Sequence, residues 1–166
     1  FSSGGTSSSY TYVPNTDQFG SDSFQYRTRD PSGATSSNFT VSININAIND
    51  NPVTSGSSFT LNEDSPIGHQ LIANDNKDLF GSGGINQYVI NSGPSNGSIS
   101  NFNSSTGSFT YNPNLDYQGS DSLTFYVLDN ANPGPQLQSN TSTVNITVNS
   151  VNDAPVSFGN SFTMDE

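Results

Sequence analysis

Apolar and polar residues alternate with period two along most of this chain. Phe39, Val41, Ile43 and Ile45 share one face, with Thr40, Ser42 and Asn44 on the other. Val144, Ile146 and Val148 oppose Thr143, Asn145 and Thr147 in the same way, Leu123, Phe125 and Val127 alternate with Thr124 and Tyr126, and Phe24 and Tyr26 oppose Gln25 and Arg27. This is the signature of half-buried β-strands, and no segment carries a helical stripe. Between residues 53 and 155 the pattern predicts strands near 57–62, 68–73, 86–91, 97–101, 108–112, 121–128 and 141–149. Turn-forming clusters separate them: Asp64-Ser-Pro, Asn91-Ser-Gly-Pro, Ser105-Thr-Gly and Asn130-Ala-Asn-Pro-Gly-Pro. The expected architecture is all-β, two sheets packed face to face. Its expected core holds Phe59, Leu61, Leu71, Val89, Ile99, Phe109, Tyr111, Leu123, Phe125, Val144, Ile146 and Val148.

The same pattern is written twice. Tyr10-Thr-Tyr-Val-Pro-Asn-Thr-Asp-Gln-Phe-Gly-Ser-Asp-Ser-Phe returns as Phe109-Thr-Tyr-Asn-Pro-Asn-Leu-Asp-Tyr-Gln-Gly-Ser-Asp-Ser-Leu, 99 residues later. Ala47-Ile-Asn-Asp-Asn-Pro-Val returns as Ser150-Val-Asn-Asp-Ala-Pro-Val, 103 residues later, so the second copy carries a four-residue insertion between Asp129 and Asn152. Ser58-Phe-Thr-Leu-Asn-Glu comes back as Ser161-Phe-Thr-Met-Asp-Glu. The repeat predicts three pieces: residues 1–52 as the C-terminal part of one unit, 53–155 as a complete unit, and 156–166 as the first strand of the next, in a window cut from a longer polypeptide. Seven short strands in about 100 residues suit a sandwich of immunoglobulin-like type better than a small barrel, since a tandem array favours domains whose ends lie opposite each other. The insertion, Asn130 to Ser139 with two prolines, is expected to be an exposed hairpin loop.

Composition narrows the function. Fourteen acids stand against three bases, Arg27, Arg29 and Lys77, for a net charge of −11. Phosphate binding needs clustered Lys and Arg, so nucleic acid is excluded and an anionic membrane disfavoured. No apolar run approaches the length of a membrane span. Cysteine is absent, which removes disulfides, thiolate metal sites and thiol catalysis. The natural counter-ion of such a surface is a hard cation, which takes carboxylate and carbonyl oxygens.

The acids gather at the junctions. Asp50 lies in Asn49-Asp50-Asn51-Pro52; Glu63 and Asp64 follow the first strand of the complete unit; Asp75 and Asp78 lie in Ala73-Asn-Asp-Asn-Lys-Asp. Asn152-Asp153 and Asp165-Glu166 repeat the arrangement. Oxygens from one domain end, a linker and the next domain can surround a calcium ion, which accepts six to eight of them in flexible geometry. The linkers resemble the Asp-x-Asn-Asp-Asn-x-Pro linkers of cadherin domains. The whole unit resembles more closely the cadherin-like tandem repeats of large bacterial surface proteins, with Tyr111, Pro113, Gly119, Asp121, Ser122 and Val151 to Val156 matching in order. The resemblance implies calcium-dependent extracellular or cell-surface adhesion or scaffolding, with Asn49, Asp50, Asn152 and Asp153 as linker ligands and Glu63 and Glu166 as ligands at the domain top. The pattern also departs from cadherins. Ala47 and Ser150 stand where the linker's first Asp would be, and no Asp-Arg-Glu motif occurs. One ion per junction, or none, therefore fits better than three.

Plainer readings stand beside these. Asn-Asp-x-Pro can be a simple turn. Asp22 and Asp121 read as turn caps; Asp30 and Asp129 end a strand and are placed either to reach a junction or in a solvated loop. His69, the single histidine, reads as a surface residue beside a strand. No serine lies in a Gly-x-Ser-x-Gly elbow, and five Asn-x-Ser/Thr sequons, at Asn38, Asn96, Asn103, Asn140 and Asn145, are no more than this composition yields by chance. The sequence thus predicts a non-enzymatic structural repeat of a surface adhesin, filament or sheath. Its partners are neighbouring repeats, other copies in a filament, or surface glycans. The alternative is a glycan- or ligand-binding accessory module, for which the insertion is the candidate contact loop.

Overall fold

The computed structural model describes residues 9–75, 84–130 and 134–164. Eleven strands occur among these residues. β1 (Gly20–Tyr26) and β2 (Phe39–Ile45) form an antiparallel pair by themselves. The rest belong to the second unit: β3 (Val53–Ser55), β4 (Ser57–Asn62), β5 (Ile67–Gln70), β6 (Ile72–Asn74), β7 (Ile85–Ser92), β8 (Gly97–Ser100), β9 (Ser108–Pro113), β10 (Gly119–Asp129) and β11 (Ser142–Asn149). One sheet has the order β4-β11-β10-β7 and the other β5-β9-β8, with β3 and β6 paired alongside. β4 joins its sheet parallel to β11, while the other pairings are antiparallel.

Alternation gives each inner face its side chains. Along β10, Asp121, Leu123, Phe125, Val127 and Asp129 are buried; along β11, Val144, Ile146 and Val148. They meet Phe109 and Tyr111 from β9, with Leu61 and Leu71 closing the cluster and Phe59 and Ile99 packed at its rim. Two details differ from the sequence pattern. The stretch 68–73 is not one strand: Leu71, only 1% exposed, breaks it and donates its N–H to the Gly107 carbonyl at 3.0 Å. The chain thereby passes from the β5-β9-β8 sheet to the β3-β6 pair. Val89 is not the core residue of β7; Tyr88 is. The β7-β10 ladder shifts register at both ends, which turns Tyr88 inward over Gly107. A Cβ there would lie 2.7 Å from the ring, and Gly107 sits at φ +75°, so glycine makes the space.

The insertion is only partly a free loop. Residues 131–133 lie outside the described residues and Gly134 to Gln136 are exposed. The returning limb is bonded to β10: Asp129 N donates to the Leu137 carbonyl at 3.1 Å and Ser139 N to the Val127 carbonyl at 3.0 Å. The prolines precede this limb, so its residues keep the N–H groups a ladder needs. In the first unit, β1 and β2 pair from Gly20↔Ile45 to Tyr26↔Phe39. Those are the positions of Gly119↔Val148 to Phe125↔Ser142 in the second. Residues 156–164 are exposed and carry no strand.

Candidate functional site

The residues expected to bind metal are distributed over two opposite ends of the second unit. At the end where the linker arrives, Asn49 docks on the terminus of β10. Its Nδ2 donates to Asp129 Oδ2 at 2.6 Å and to the Pro135 carbonyl at 2.8 Å. Its Oδ1 is buried with no hydrogen-bond partner. Asp129 is fully buried and also accepts Leu137 N at 2.9 Å. Both carboxylate oxygens of Asp75, just after β6, are buried as well. Asp50 lines a groove of ≈ 250 Å³ together with Asp17, a residue the sequence reading did not single out. Asp17 has φ +56°, matched by Asp116 at +55° in the second copy. Asp78 lies outside the described residues.

At the far end, Glu63 is 6% exposed and Oε1 accepts Val151 N at 2.6 Å. Its own N–H donates to the Asn149 carbonyl at 2.9 Å. It therefore staples the end of β4 to the start of the outgoing linker. Asp64, at φ +58°, accepts Asp116 N at 3.3 Å. Asn152 and Asp153 are exposed, and Asn152 Nδ2 reaches only the Asp153 carbonyl at 3.4 Å. Glu166 lies outside the described residues. Among the described residues no group of three or more His, Cys, Asp or Glu is placed to hold a metal ion.

Asp121 is a cap, as expected, but its Gly-Ser-Asp-Ser stretch opens β10 rather than forming a turn, and the residue is buried and caps the β7-β8 turn. It accepts Ser95 N and Asn96 N at 2.9 Å each, Ser122 N at 2.8 Å and Tyr111 Oη at 2.9 Å. Burial pushes its pKa up, but these four donors outweigh that and hold it below the usual carboxylate value. Burial, then the bond to Asp121, pushes the Tyr111 hydroxyl well up. The first unit repeats the pair: Tyr12 Oη donates to Asp22 Oδ2 at 2.5 Å, which with Ser23 N lowers the Asp22 pKa.

His69 is not a loose surface residue. Its ring packs on Phe59 at 4.4 Å between centroids and edge-on to Phe109 at 5.8 Å, and Nε2 meets Ser57 Oγ at 3.0 Å. Among the described residues no carboxylate bonds the ring, so the Ser57–His69 contact lacks the third group of a nucleophilic triad. Asn140 cannot serve as an open sequon. Its side chain accepts Thr54 N at 3.0 Å and donates to the Thr54 carbonyl at 3.1 Å, tying β3 to the segment before β11.

Two facing sheets, a parallel first-to-last strand pairing and a polar linker at each end define an immunoglobulin-like repeat module. The chain belongs to the bacterial Ig domain family, which matches residues 1–44 and 49–148. No curated relative matches it. Among solved structures it is similar to extracellular cadherin domains 1–5 of protocadherin gamma B2, at TM-score 0.53 and 21% identity over 79% of this chain and 27% of that one. Protocadherin gammaB7 EC3-6, described as a cis-dimer, gives TM-score 0.53 and 17% identity over 81% of this chain and 34% of that one. The chain thus spans about a third or less of these structures, and the likeness is one of fold.

Proposed function

We propose that this chain is a stretch of non-enzymatic tandem units that act as a structural spacer outside a bacterial cell, in a surface adhesin, filament or sheath, with calcium bound at the junctions. The observation that carries the reading is the linker. It runs from one immunoglobulin-like unit straight into the next, with side-chain oxygens of Asn49 and Asp75 buried where they meet. Asn49, Asp50, Asp75 and Asp17 would hold the ion at this junction. Asn49 Oδ1 is the best fit, a buried acceptor with nothing to accept. Glu63, Asp64, Asn152, Asp153, Asp78 and Glu166 complete the proposed set at the two junctions. The ion would supply charge neutralisation between carboxylates. Partners are neighbouring repeats and, in an assembled surface, other copies or glycans. The glycan-binding alternative rests on the insertion, whose returning limb is spent on β10 and the linker, so the spacer reading is the stronger.

Extracellular calcium modules have Kd values of roughly 10⁻⁴ to 10⁻³ M. At about ten times Kd, one site adds only about 1.4 kcal/mol to the folded state. The unit should therefore stay folded in chelator while the inter-unit angle broadens, as read by solution scattering. Asp50→Ala with Asp153→Ala should reproduce that broadening in saturating calcium. Scattering profiles identical with calcium and with chelator would sink the calcium mechanism.

A further inference from the structure

The linker is fastened to the second unit by side-chain bonds that need no metal. Asn49 Nδ2 bridges the Asp129 carboxylate and the Pro135 carbonyl. Two residues on, Asn51 Nδ2 donates to the Gln138 carbonyl at 2.7 Å. Thr54 N donates to Asn140 Oδ1 at 3.0 Å, and Thr54 Oγ1 to the Asn140 carbonyl at 2.8 Å. The contacts fall on every second or third linker residue, and each reaches successively further along the segment from Asp129 to Asn140. This segment contains the insertion that the first unit lacks.

We propose that Asp129 and the returning limb Pro135–Asn140 form a docking surface whose partner is the Asn-Asp-Asn-Pro linker of the unit in front, with Asn49 as plug and the Asp129 carboxylate as socket. The linker is then part of the second unit, and motion between units pivots upstream of it, at residues 46–48, where Ile48 is 79% exposed. A buried charged acceptor gives the Asn49 bond more strength than an amide pair on the surface would have. The clamp uses Asn49 Nδ2 and needs no calcium, whereas the ion proposed above would take Asn49 Oδ1.

Residue-by-residue amide exchange on the whole chain tests it, in calcium and in chelator. The Thr54 and Leu137 amides should remain protected in chelator. Asn49→Ala should speed Leu137 exchange about tenfold by unmaking a bond to a charged group, with amides of β10 and β11 unmoved. Asn140→Ala should do the same to Thr54. The proposal is overturned if chelation alone exposes Thr54 and Leu137 as much as the substitutions do, or if Asn49→Ala leaves Leu137 protection unchanged.

Discussion

The two hairpins β1-β2 and β10-β11 pair in the same register, position for position, in opposite surroundings. In the second unit Asp121, Leu123 and Phe125 are buried; their counterparts Asp22, Phe24 and Tyr26 are exposed or half-exposed. Register is therefore a property of the local sequence: the φ-positive glycine that opens each first strand (Gly20 and Gly119), the alternation, and the Tyr-to-Asp bond ten residues apart. Burial is a property of what the rest of the unit lays over the hairpin. In the second copy the β7-β8 turn brings the Ser95 and Asn96 amides onto this Asp.

Paired substitutions break this comparison most directly. Phe125→Ala should cost the second unit about 3–5 kcal/mol through cavity formation, seen as a lower denaturant midpoint. Tyr26→Ala, at the equivalent position, should leave that transition in place. Asp121→Ala should cost about 3 kcal/mol, because it strands donors on three segments, the buried Tyr111 hydroxyl among them, whereas Asp22→Ala should not move the midpoint. Equal effects from the two aspartates would show that the hairpin, not its covering, decides the role. Gly97→Ala should cost about 1–3 kcal/mol: a Cβ there would lie 2.5 Å from the Tyr111 ring.

The smallest effects are titrations. Asp121 is depressed in the folded state, so its contribution is present above the unfolded carboxylate value near pH 4 and lost as pH falls through the lower folded value. His69 is also depressed, by burial. Its contribution is complete above about pH 6.5 and declines as pH falls through the folded value. Melting temperature should thus fall in two windows. Asp121→Asn should flatten only the lower and His69→Phe only the upper.

Most of the strand pattern was legible because alternation is local. The seven predicted strands of the second unit appear, apart from the break at Leu71 and the added three-residue β3, which is too short to show a period. Val89 against Tyr88 was misread because a register shift reverses faces, and neither strand announces it alone. The site was less legible. Asn49 and Asp129 are 80 residues apart, and only the fold brings them together. The four-residue insertion was the available signal, and it pointed to a contact loop when half of it is a fastening strip. Glu63 was singled out as a ligand, and its Oε1 carries the linker's first amide.

The parallel pairing of β4 with β11 sets how the unit meets mechanical load. Ser57 lies beside Val144 and Asn62 beside Asn149, so the incoming chain enters at one end of this ladder and the outgoing chain leaves at the other. Tension along the array pulls the two strands past each other and loads all six register pairs together, whereas a hairpin peeled from its tip breaks one bond at a time. In single-molecule stretching the second unit should yield in one abrupt event, and Thr60→Pro, which removes an N–H from the middle of that ladder, should lower the force at which it does.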